Sequence, residues 1–101
     1  VVKPLVDECQ WQGVVCEGYK VKELRWGSQG ISGTIPPEIS LLSNLQYLDL
    51  SQNDLTGTIP EDLFQLTKLE RIYLYQNELS GTLSTSIGKL LNLTHLHLSH
   101  N

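Results

Sequence analysis

A repeat of 24 residues runs through most of this 101-residue chain and constrains its fold more than any other feature. Leucine or isoleucine recurs at this spacing in several columns, and glycine does so in one. The aligned columns are Leu42, Leu66 and Leu90; Leu45, Leu69 and Leu93; Leu48, Ile72 and Leu96; Leu50, Leu74 and Leu98; Leu55 and Leu79; Gly57 and Gly81; Ile59 and Leu83. One coil of this length cannot bury its apolar face alone, whereas stacked coils bury it against each other. The period therefore predicts three stacked repeats, beginning near residues 18, 42 and 66, and half of a fourth.

A short alternating segment in each repeat predicts a strand. In the sequence YLDLS at residues 47–51, Leu48 and Leu50 are expected to point inward, because side chains alternate along a strand. The other three, Tyr47, Asp49 and Ser51, are expected to point to solvent. Successive coils place such strands side by side, about 4.8 Å apart, and build a parallel sheet.

Turn and helix signals follow each strand. Gly57 lies in the sequence LTGTIP and predicts a tight bend, since glycine adopts backbone conformations that other residues avoid. Pro60 suits the first position of a helix, and the acidic Glu61 and Asp62 suit its first turn. The sequence therefore predicts an α/β chain in which a coil carries a strand and a short helical turn.

An asparagine column, Asn53, Asn77 and Asn101, runs through the apolar repeat, with Gln29 at the equivalent position of the first coil. Where the chain leaves the strand it must turn, and the turn leaves backbone N–H and C=O groups inside the stack. An amide side chain carries donors and an acceptor for both, and one such group left buried and unpaired costs about 1–3 kcal/mol. We therefore interpret the asparagines as a structural ladder rather than as catalytic groups.

The composition excludes several classes of partner. Apolar residues make up 40% of the chain and charged residues 18%, which allows a folded core. The net charge of −4 argues against nucleic acid and anionic membranes, because both require clustered lysine and arginine. No stretch reaches about 18 apolar residues, so the sequence predicts no membrane-spanning helix and no direct membrane contact from this segment.

Cys9 and Cys16 are the only cysteines in the chain. Their closeness near one end indicates a local disulfide and an oxidising compartment. In the chain-entropy model the closed loop contributes about 2–3 kcal/mol to stability. Two reduced cysteines in a cytosolic protein are the alternative at this point.

Two stretches resemble plant-type leucine-rich repeats, whose pattern is LxxLxxLxLxxNxLxGxIPxxLxx. Residues 42–65, LSNLQYLDLSQNDLTGTIPEDLFQ, match it. Residues 66–89, LTKLERIYLYQNELSGTLSTSIGK, match it except that Leu83 and Ser84 replace isoleucine and proline. The sequence CQWQGVVC at residues 9–16 resembles the amino-terminal cap of that family, CxWxGVxC. This resemblance strengthens the prediction of a disulfide between Cys9 and Cys16.

The resemblance implies a curved, right-handed solenoid with a parallel sheet on its concave face, short helical turns on its convex face, and a second set of shorter strands at the LTGTIP segments. It divides the chain into a cap at residues 1–20 and repeats at residues 21–101. The repeats stop at Asn101 in the middle of a coil, without a carboxy-terminal cap, so Leu93, Leu96 and Leu98 are expected to be exposed. We expect this sequence to be a piece of a longer protein.

Side chains that face outward from the predicted strands form columns available for binding. The columns are Glu23, Tyr47, Arg71 and His95; Arg25, Asp49, Tyr73 and His97; and Gly27, Ser51, Tyr75 and Ser99. Tyrosine and arginine are enriched at interface hot spots. The candidate binding residues are therefore Tyr47, Asp49, Arg71, Tyr73, Tyr75, His95 and His97. The alternative is a solvated sheet face whose tyrosines pack over neighbours for cross-strand stability.

Three histidines, His95, His97 and His100, cluster near the end of the chain. No carboxylate or cysteine spacing accompanies them, so we expect no metal site. Imidazoles gain charge as the pH falls below about 6.5, and binding that changes below about pH 6 is a hypothesis for this cluster. Separately, NLT at residues 92–94 is an N-glycosylation sequon, so Asn92 is a predicted glycan site if a eukaryote secretes the protein.

Enzymatic function is not expected, and no cofactor is predicted. The sequence has no G-x-S-x-G motif, no cysteine–histidine dyad with a suitable nucleophile and no phosphate-cradling glycine loop. A column of threonines, Thr34, Thr58 and Thr82, resembles the ladder of an ice-binding surface, which is a minor alternative. Trp11 and Trp26 are predicted to belong to the core.

Together these features predict an extracellular recognition module. The plant-type family is found in receptor-kinase ectodomains, receptor-like proteins and secreted inhibitors such as polygalacturonase-inhibiting proteins. The resemblance implies a receptor-like protein, secreted or at the cell surface, that binds a protein or peptide ligand through the concave sheet. A secreted inhibitor of a wall-degrading enzyme and a purely structural solenoid segment are the alternatives.

Overall fold

The strands of this protein are short and recur once or twice in every coil. The computed structural model describes residues 8–101, so the first seven residues of the predicted cap, 1–20, lie outside the described part. The strands within it are β1 (Val14–Glu17), β2 (Lys20–Arg25), β3 (Ser32–Thr34), β4 (Tyr47–Asp49), β5 (Asp54–Thr58), β6 (Arg71–Tyr73), β7 (Glu78–Ser80) and β8 (His95–His97). They form a five-stranded and a three-stranded sheet, which together with short helices wind into a solenoid.

The larger sheet has the strand order β1-β2-β4-β6-β8. From β2 onward the strands run parallel, and Leu24, Leu48, Ile72 and Leu96 lie beside one another across the sheet. These partners are 24 residues apart in the chain, so the stacking predicted from the repeat is confirmed. The inward side chains of this sheet form the core of the solenoid, in which Leu48 and Leu74 are fully buried.

The smaller sheet has the strand order β3-β5-β7, and its strands pair in a different register from those of the larger sheet. Its partners are 22 residues apart, so Thr34 lies opposite Thr56, and Thr58 lies opposite Ser80. A slide of two residues keeps every side chain on its own face, because the alternation along a strand has a period of two. The predicted ladder of Thr34, Thr58 and Thr82 is therefore wrong, since these threonines do not face one another.

Gly57 lies inside β5 rather than at the predicted tight bend. Its φ is +78°, a conformation that side chains with a Cβ rarely adopt. A Cβ on this residue would also come within 3.0 Å of the Thr34 methyl carbon. Glycine therefore allows two neighbouring coils to approach closely at this point of the smaller sheet.

Short 3-10 helices form the convex side, as expected for the helical turns. They span Pro37–Leu41, Glu61–Gln65 and Thr85–Lys89. Pro37 is the first residue of its helix, whereas Pro60 precedes its helix by one residue. The second of these helices inserts Leu63 and Phe64 into the core, where each is about 1–2% exposed.

The asparagine column connects neighbouring coils by hydrogen bonds. The Oδ1 atom of Asn53 accepts from the backbone N–H groups of Gln29 at 2.9 Å and Ile31 at 3.0 Å. Its Nδ2 group donates to the carbonyls of Trp26, one coil back, and Leu50, in its own coil. Each asparagine thus supplies both the acceptor and the donors that two adjacent turns lack.

The two further asparagines repeat this pattern. Asn77 accepts from the N–H of Leu55 and donates to the carbonyls of Leu50 and Leu74, and Asn101 accepts from Leu79 and donates to Leu74 and Leu98. Gln29 differs, because its exposed side chain donates to the carbonyl of Gly27 in its own coil. Gln29 therefore occupies the equivalent position in the sequence without making the ladder contacts of the asparagines.

The amino-terminal end is closed by an antiparallel strand and a disulfide. Strand β1 pairs antiparallel with β2, and a disulfide joins Cys9 to Cys16. Gly13 precedes β1 with φ at +84°, and its carbonyl accepts from Arg25 N–H at 2.7 Å. A Cβ at Gly13 would meet the Arg25 carbonyl oxygen at 2.4 Å, so only glycine fits here. The predicted boundary between cap and repeats, at residues 20 and 21, falls inside β2 and stays a prediction.

The two tryptophans stack on each other at the same end. Their ring centroids are 6.3 Å apart, and Trp26 donates from Nε1 to the carbonyl of Gln12 at 2.9 Å. Trp26 is half-buried, but Trp11 is 46% exposed. Trp11 therefore covers Trp26 of the first coil from outside, and only the prediction that it is buried in the core is wrong.

At the opposite end the apolar side chains are less exposed than expected. Leu96 is 39% exposed, whereas Leu93 and Leu98 are half-buried and pack against the core. Across residues 8–101, no helix has both the length and the apolar character needed to cross a membrane.

Candidate ligand-binding face

The outward side chains of β2, β4, β6 and β8, which we call the candidate face, lie in the columns that the repeat predicts. Glu23 pairs with Tyr47, Tyr47 with Arg71, and Arg71 with His95. The second column pairs Arg25, Asp49, Tyr73 and His97 in the same way. The backbone of a hydrogen-bonded sheet therefore fixes the positions from which these side chains project.

Tyr47 is the centre of a cluster of aromatic and cationic groups. The guanidinium of Arg25 lies over its ring, 4.2 Å from the centroid, and that of Arg71 lies 6.0 Å away. The Tyr73 ring is tilted against it, with centroids 5.5 Å apart. Burial in this cluster raises the pKa of Tyr47, so its hydroxyl remains a neutral hydrogen-bonding group at physiological pH.

Arg25 is held in place by a carboxylate. Its Nη2 and Nε atoms lie 2.6 Å and 2.7 Å from Oε1 of Glu23. The hydrogen bond to Glu23 raises the pKa of the Arg25 guanidinium, which is charged in any case. The contact with Glu23 therefore holds the Arg25 guanidinium over the Tyr47 ring.

Arg71 is exposed and has no ion-pair partner among residues 8–101. The ion pairs found between residues 8 and 101 are Lys22 with Glu17 and Arg25 with Glu23, so Arg71 has no carboxylate within 4.0 Å in that part of the chain. It borders a shallow groove of about 310 Å³ that Lys22, Glu23, Arg25, Gln46, Tyr47 and Glu70 also line. A guanidinium beside two tyrosine rings can receive a carboxylate in two parallel hydrogen bonds.

The Asp49 carboxylate accepts two hydrogen bonds from Ser51 of its own coil. Its Oδ1 atom accepts from the Ser51 backbone N–H at 2.9 Å and from the Ser51 hydroxyl at 2.6 Å. Ser51 is only 2% exposed, so the expectation that it faces solvent is wrong. The bond to Asp49 turns its hydroxyl back along the strand, where it lies close to Gly27 of the preceding coil. Asp49 thus has a structural contact that its place in the column did not predict.

The carboxy-terminal part of the face is built from Tyr75 and the histidines. The Tyr75 and His97 rings stack with centroids 4.4 Å apart, and the Ser99 hydroxyl lies 2.8 Å from Nε2 of His97. Nδ1 of His95 lies 2.9 Å from the Thr94 hydroxyl. In the part of the chain that the structure describes, no group of three or more histidine, cysteine, aspartate or glutamate side chains is placed to hold a metal ion.

Asn92 lies at the edge where the strands of the face begin. It is exposed, and its Nδ2 group donates to the carbonyl of Thr67 at 3.2 Å. Thr94 of the same sequon donates from its hydroxyl to the carbonyl of Glu70 at 3.0 Å. Glycosylation of Asn92 stays a prediction.

Two features of the face were not singled out from the sequence. Arg25 and Glu23 stood in the columns but were not chosen as binding residues, although Arg25 makes the closest contact with the Tyr47 ring. Lys20, Lys22 and Lys68 converge on a groove at the edge of the face. The lysine-lined groove could have been predicted from the sequence, because Lys20, Asn44 and Lys68 follow one another at the 24-residue spacing.

Coils that stack parallel strands on one side, short helices on the other and an asparagine ladder between them define a leucine-rich-repeat solenoid. A profile of the Leucine rich repeat family matches residues 33–79 and 43–101, which together span residues 33–101. The chain therefore belongs to the leucine-rich repeat family.

Relatives in sequence include plant proteins, among them a receptor-like kinase. The chain is 51% identical over 47 residues to the LRR receptor-like serine/threonine-protein kinase GSO2 of Arabidopsis thaliana, a match that covers 46% of this chain and 4% of that protein. It is 42% identical over 52 residues to Protein MALE DISCOVERER 2 of the same plant, covering 52% of this chain and 8% of that protein. The chain thus corresponds to a small part of these relatives.

Solved structures of plant ectodomains have the same fold. The BIR3–SERK2 complex of Arabidopsis thaliana contains a chain that is 35% identical, with a TM-score of 0.90 over 96% of this chain and 54% of that chain. The ectodomain of GASSHO1/SCHENGEN3, solved in complex with CASPARIAN STRIP INTEGRITY FACTOR 2, is 36% identical, with a TM-score of 0.88 over 92% of this chain and 12% of that chain. The predicted solenoid is therefore confirmed.

Proposed function

We propose that this chain is an extracellular recognition module of a receptor-like protein and that it binds a protein or peptide ligand through the candidate face. The observation that carries this proposal is the cluster of Arg25, Tyr47, Tyr73 and the exposed Arg71 on a rigid sheet. Aromatic and arginine side chains dominate binding energies at interfaces, and preorganisation lowers the entropic cost of binding.

The solved relatives support a peptide as the ligand. One is an ectodomain in complex with CASPARIAN STRIP INTEGRITY FACTOR 2, one is PEPR1 with AtPEP1, and one is a plant peptide hormone receptor, RGFR1, in complex with RGF2. The disulfide between Cys9 and Cys16 fits an oxidising, extracellular environment. The ligand that we propose is an extended segment that places a carboxylate on Arg71 and apolar groups on the two tyrosines.

A peptide selected against the protein tests this proposal. Peptides that bind the wild-type protein are selected from a random display library, and their dissociation constants are measured for variants of the face. Arg71→Gln removes the charge, and Tyr73→Ala removes one ring of the cluster. Each change is expected to weaken binding by about 10-fold or more, which is the size of a hot-spot effect.

The matched control is Gln65→Ala on the convex side, in the 3-10 helix Glu61–Gln65. Its side chain is exposed and distant from the sheet, so affinity should stay within about 2-fold, as for other non-contacting surface changes. Undiminished affinity in both face variants, with melting temperatures equal to that of the wild type, would show that the candidate face is not the binding surface.

A further inference from the structure

A groove lined by lysines lies beside the candidate face, at the edge where its strands begin. We call it the lysine groove; it has a volume of about 330 Å³. Its walls are formed by Glu17, Lys20, Lys22, Asn44, Gln46 and Lys68. The groove therefore brings together side chains from three successive coils.

The positive charge of the lysine groove is poorly compensated. Lys68 donates from Nζ to the neutral Oδ1 of Asn44 at 2.7 Å, so that bond orients the ammonium without neutralising it. Lys22 lies 3.7 Å from Oε2 of Glu17, a carboxylate whose side chain is 80% exposed. Lys20 has no carboxylate within 4.0 Å among residues 8–101. Three ammonium groups thus share one solvated carboxylate, in a chain whose net charge is −4.

The spacing of these ammonium groups suits an extended chain of carboxylates. Lys20 and Lys68 stand at equivalent positions two coils apart, and adjacent strands lie about 4.8 Å apart, so about 10 Å separates the two positions. An extended peptide advances about 3.3 Å per residue. Glutamates two residues apart lie on the same side of an extended peptide, about 7 Å from each other, and the long lysine side chains can reach both while the peptide crosses the strands.

The lysine groove is continuous with the candidate face. Lys22 and Gln46 line both the lysine groove and the groove that holds Arg25, Tyr47 and Arg71. A single ligand can therefore occupy both, with anionic groups in the first and apolar groups near the tyrosines in the second. A peptide offers both kinds of side chain, whereas a polyuronate chain would offer no apolar side chains to the tyrosines.

We propose that the lysine groove is an anion-binding subsite for a cluster of carboxylates in an acidic peptide segment, which continues from there onto the candidate face. This proposal rests on the proposed function, because it assumes that the face binds a peptide. It adds the class of ligand, an acidic peptide, and the part of the surface that recognises its charge.

A blocked tetraglutamate peptide is the probe, and calorimetry on the whole protein is the measurement. The comparison peptide is its tetraglutamine counterpart, and an oligogalacturonate of equal charge represents a saccharide source of carboxylates. Binding of the tetraglutamate should weaken by several-fold between about 20 mM and about 200 mM salt, because salt screens exposed charges. The tetraglutamine peptide should not bind measurably.

Removal of the three charges is the decisive change. Lys20→Gln, Lys22→Gln and Lys68→Gln should each weaken tetraglutamate binding by about 3-fold, and the triple variant by about 10-fold or more, as expected for partly solvated charge contacts. The matched control is Lys89→Gln, which removes one positive charge at the end of the convex helix Thr85–Lys89. Binding by this control should equal that of the wild type within about 2-fold.

Three results would overturn the proposal: no binding of tetraglutamate by the wild type, binding that the triple variant retains in full, or a preference for the oligogalacturonate. These outcomes are distinguishable from a failure of the proposed function, which is tested by Arg71→Gln and Tyr73→Ala with selected peptides. If those variants lose their selected peptides while the lysine variants keep tetraglutamate, the face binds peptides but the lysine groove is not part of its site.

Discussion

Asn77 shows how one side chain can hold two coils of this solenoid together. It is 7% exposed, accepts from the N–H of Leu55 at 3.0 Å and donates to the carbonyls of Leu50 and Leu74. The two carbonyls belong to turns that leave the larger sheet, whereas the Leu55 N–H lies in β5, and the Asn77 amide bonds all three. The amide therefore replaces the hydrogen bonds that the turns cannot make for themselves.

Replacement of this amide should be costly. Asn77→Ala leaves one buried N–H and parts of two carbonyls without the side-chain partner, so we expect the free energy of unfolding to fall by about 2–4 kcal/mol. Chemical denaturation followed by circular dichroism measures the change. The control Gln65→Ala alters an exposed amide that makes no described contact and should change stability by less than about 0.5 kcal/mol. Equal stability of Asn77→Ala and the control would refute the ladder.

The sequence located these asparagines because their role depends only on the repeat. It failed at Ser51, where alternation predicted an outward side chain and the structure shows a buried hydroxyl bonded to Asp49. Alternation describes the direction of Cβ atoms and not the hydrogen bonds that a short polar side chain makes with its neighbours. The exposure of Trp11 was mispredicted for a related reason, since it depends on how the segment before β1 packs over Trp26.

At the scale of elements, the two sheets differed in how well the repeat predicted them. The larger sheet follows the 24-residue spacing, so partners such as Leu48 and Ile72 could be read from the sequence. The smaller sheet pairs residues 22 apart. A repeat specifies that coils are equivalent, but it does not specify how far each strand slides along its neighbour, which depends on the shape of the coil.

The convex helices also contact one another. Hydrogen bonds from the side chains of Ser84 and Ser86 lower the pKa of the Glu61 carboxyl, which joins the start of one helix to that of the next. Ser84 stands at the helix start where the preceding repeat has Pro60. The serine that departs from the repeat pattern also caps its own helix, because its hydroxyl oxygen accepts from the Ser86 N–H at 3.0 Å.

This contact predicts a pH dependence. A carboxyl whose pKa is lower in the folded state stabilises the fold above its unfolded pKa, and the contribution is lost as the pH falls through its folded pKa. Glu61 should therefore contribute above about pH 4.3, the ordinary glutamate value, and progressively less below it. NMR titration of its carboxyl measures the folded pKa directly.

The variant pair Ser84→Ala and Ser86→Ala, made together, should move the Glu61 pKa up toward its ordinary value. It should also reduce the dependence of the melting temperature on pH in the acid range. Ser43→Ala, at an exposed position of an earlier coil, is the control and should leave the titration unchanged. An unchanged Glu61 pKa in the double variant would show that these hydroxyls do not bind the carboxylate.

At the scale of the whole molecule, charge is distributed unevenly around the solenoid. Of the six lysines and arginines within residues 8–101, five line the candidate face or the lysine groove; they are Lys20, Lys22, Arg25, Lys68 and Arg71. Of the ten acidic residues there, five lie on the smaller sheet or in the convex helices, whereas Glu17, Glu23, Asp49 and Glu70 lie on or beside the candidate face. Five cationic and four acidic side chains therefore share this side, which does not carry the net negative charge of the whole chain.

The sequence predicted the positions of the site residues but not the contacts between their side chains. The columns of the candidate face followed from the repeat, so the positions of Tyr47, Arg71 and Tyr73 were predictable. The interactions among them were not, since the stacking of Arg25 over Tyr47 depends on side-chain conformations that Glu23 holds. The lysine groove was missed because total charge says nothing about where charges gather.

The most direct test of the account is an NMR map of the binding surface. Backbone amide shifts of the protein are followed while a peptide selected from the display library is titrated in. We predict that the largest changes occur along the face, in β2, β4, β6 and β8 and at Tyr75. Changes concentrated in the convex helices Pro37–Leu41, Glu61–Gln65 and Thr85–Lys89, with the face unperturbed, would contradict recognition through the concave sheet.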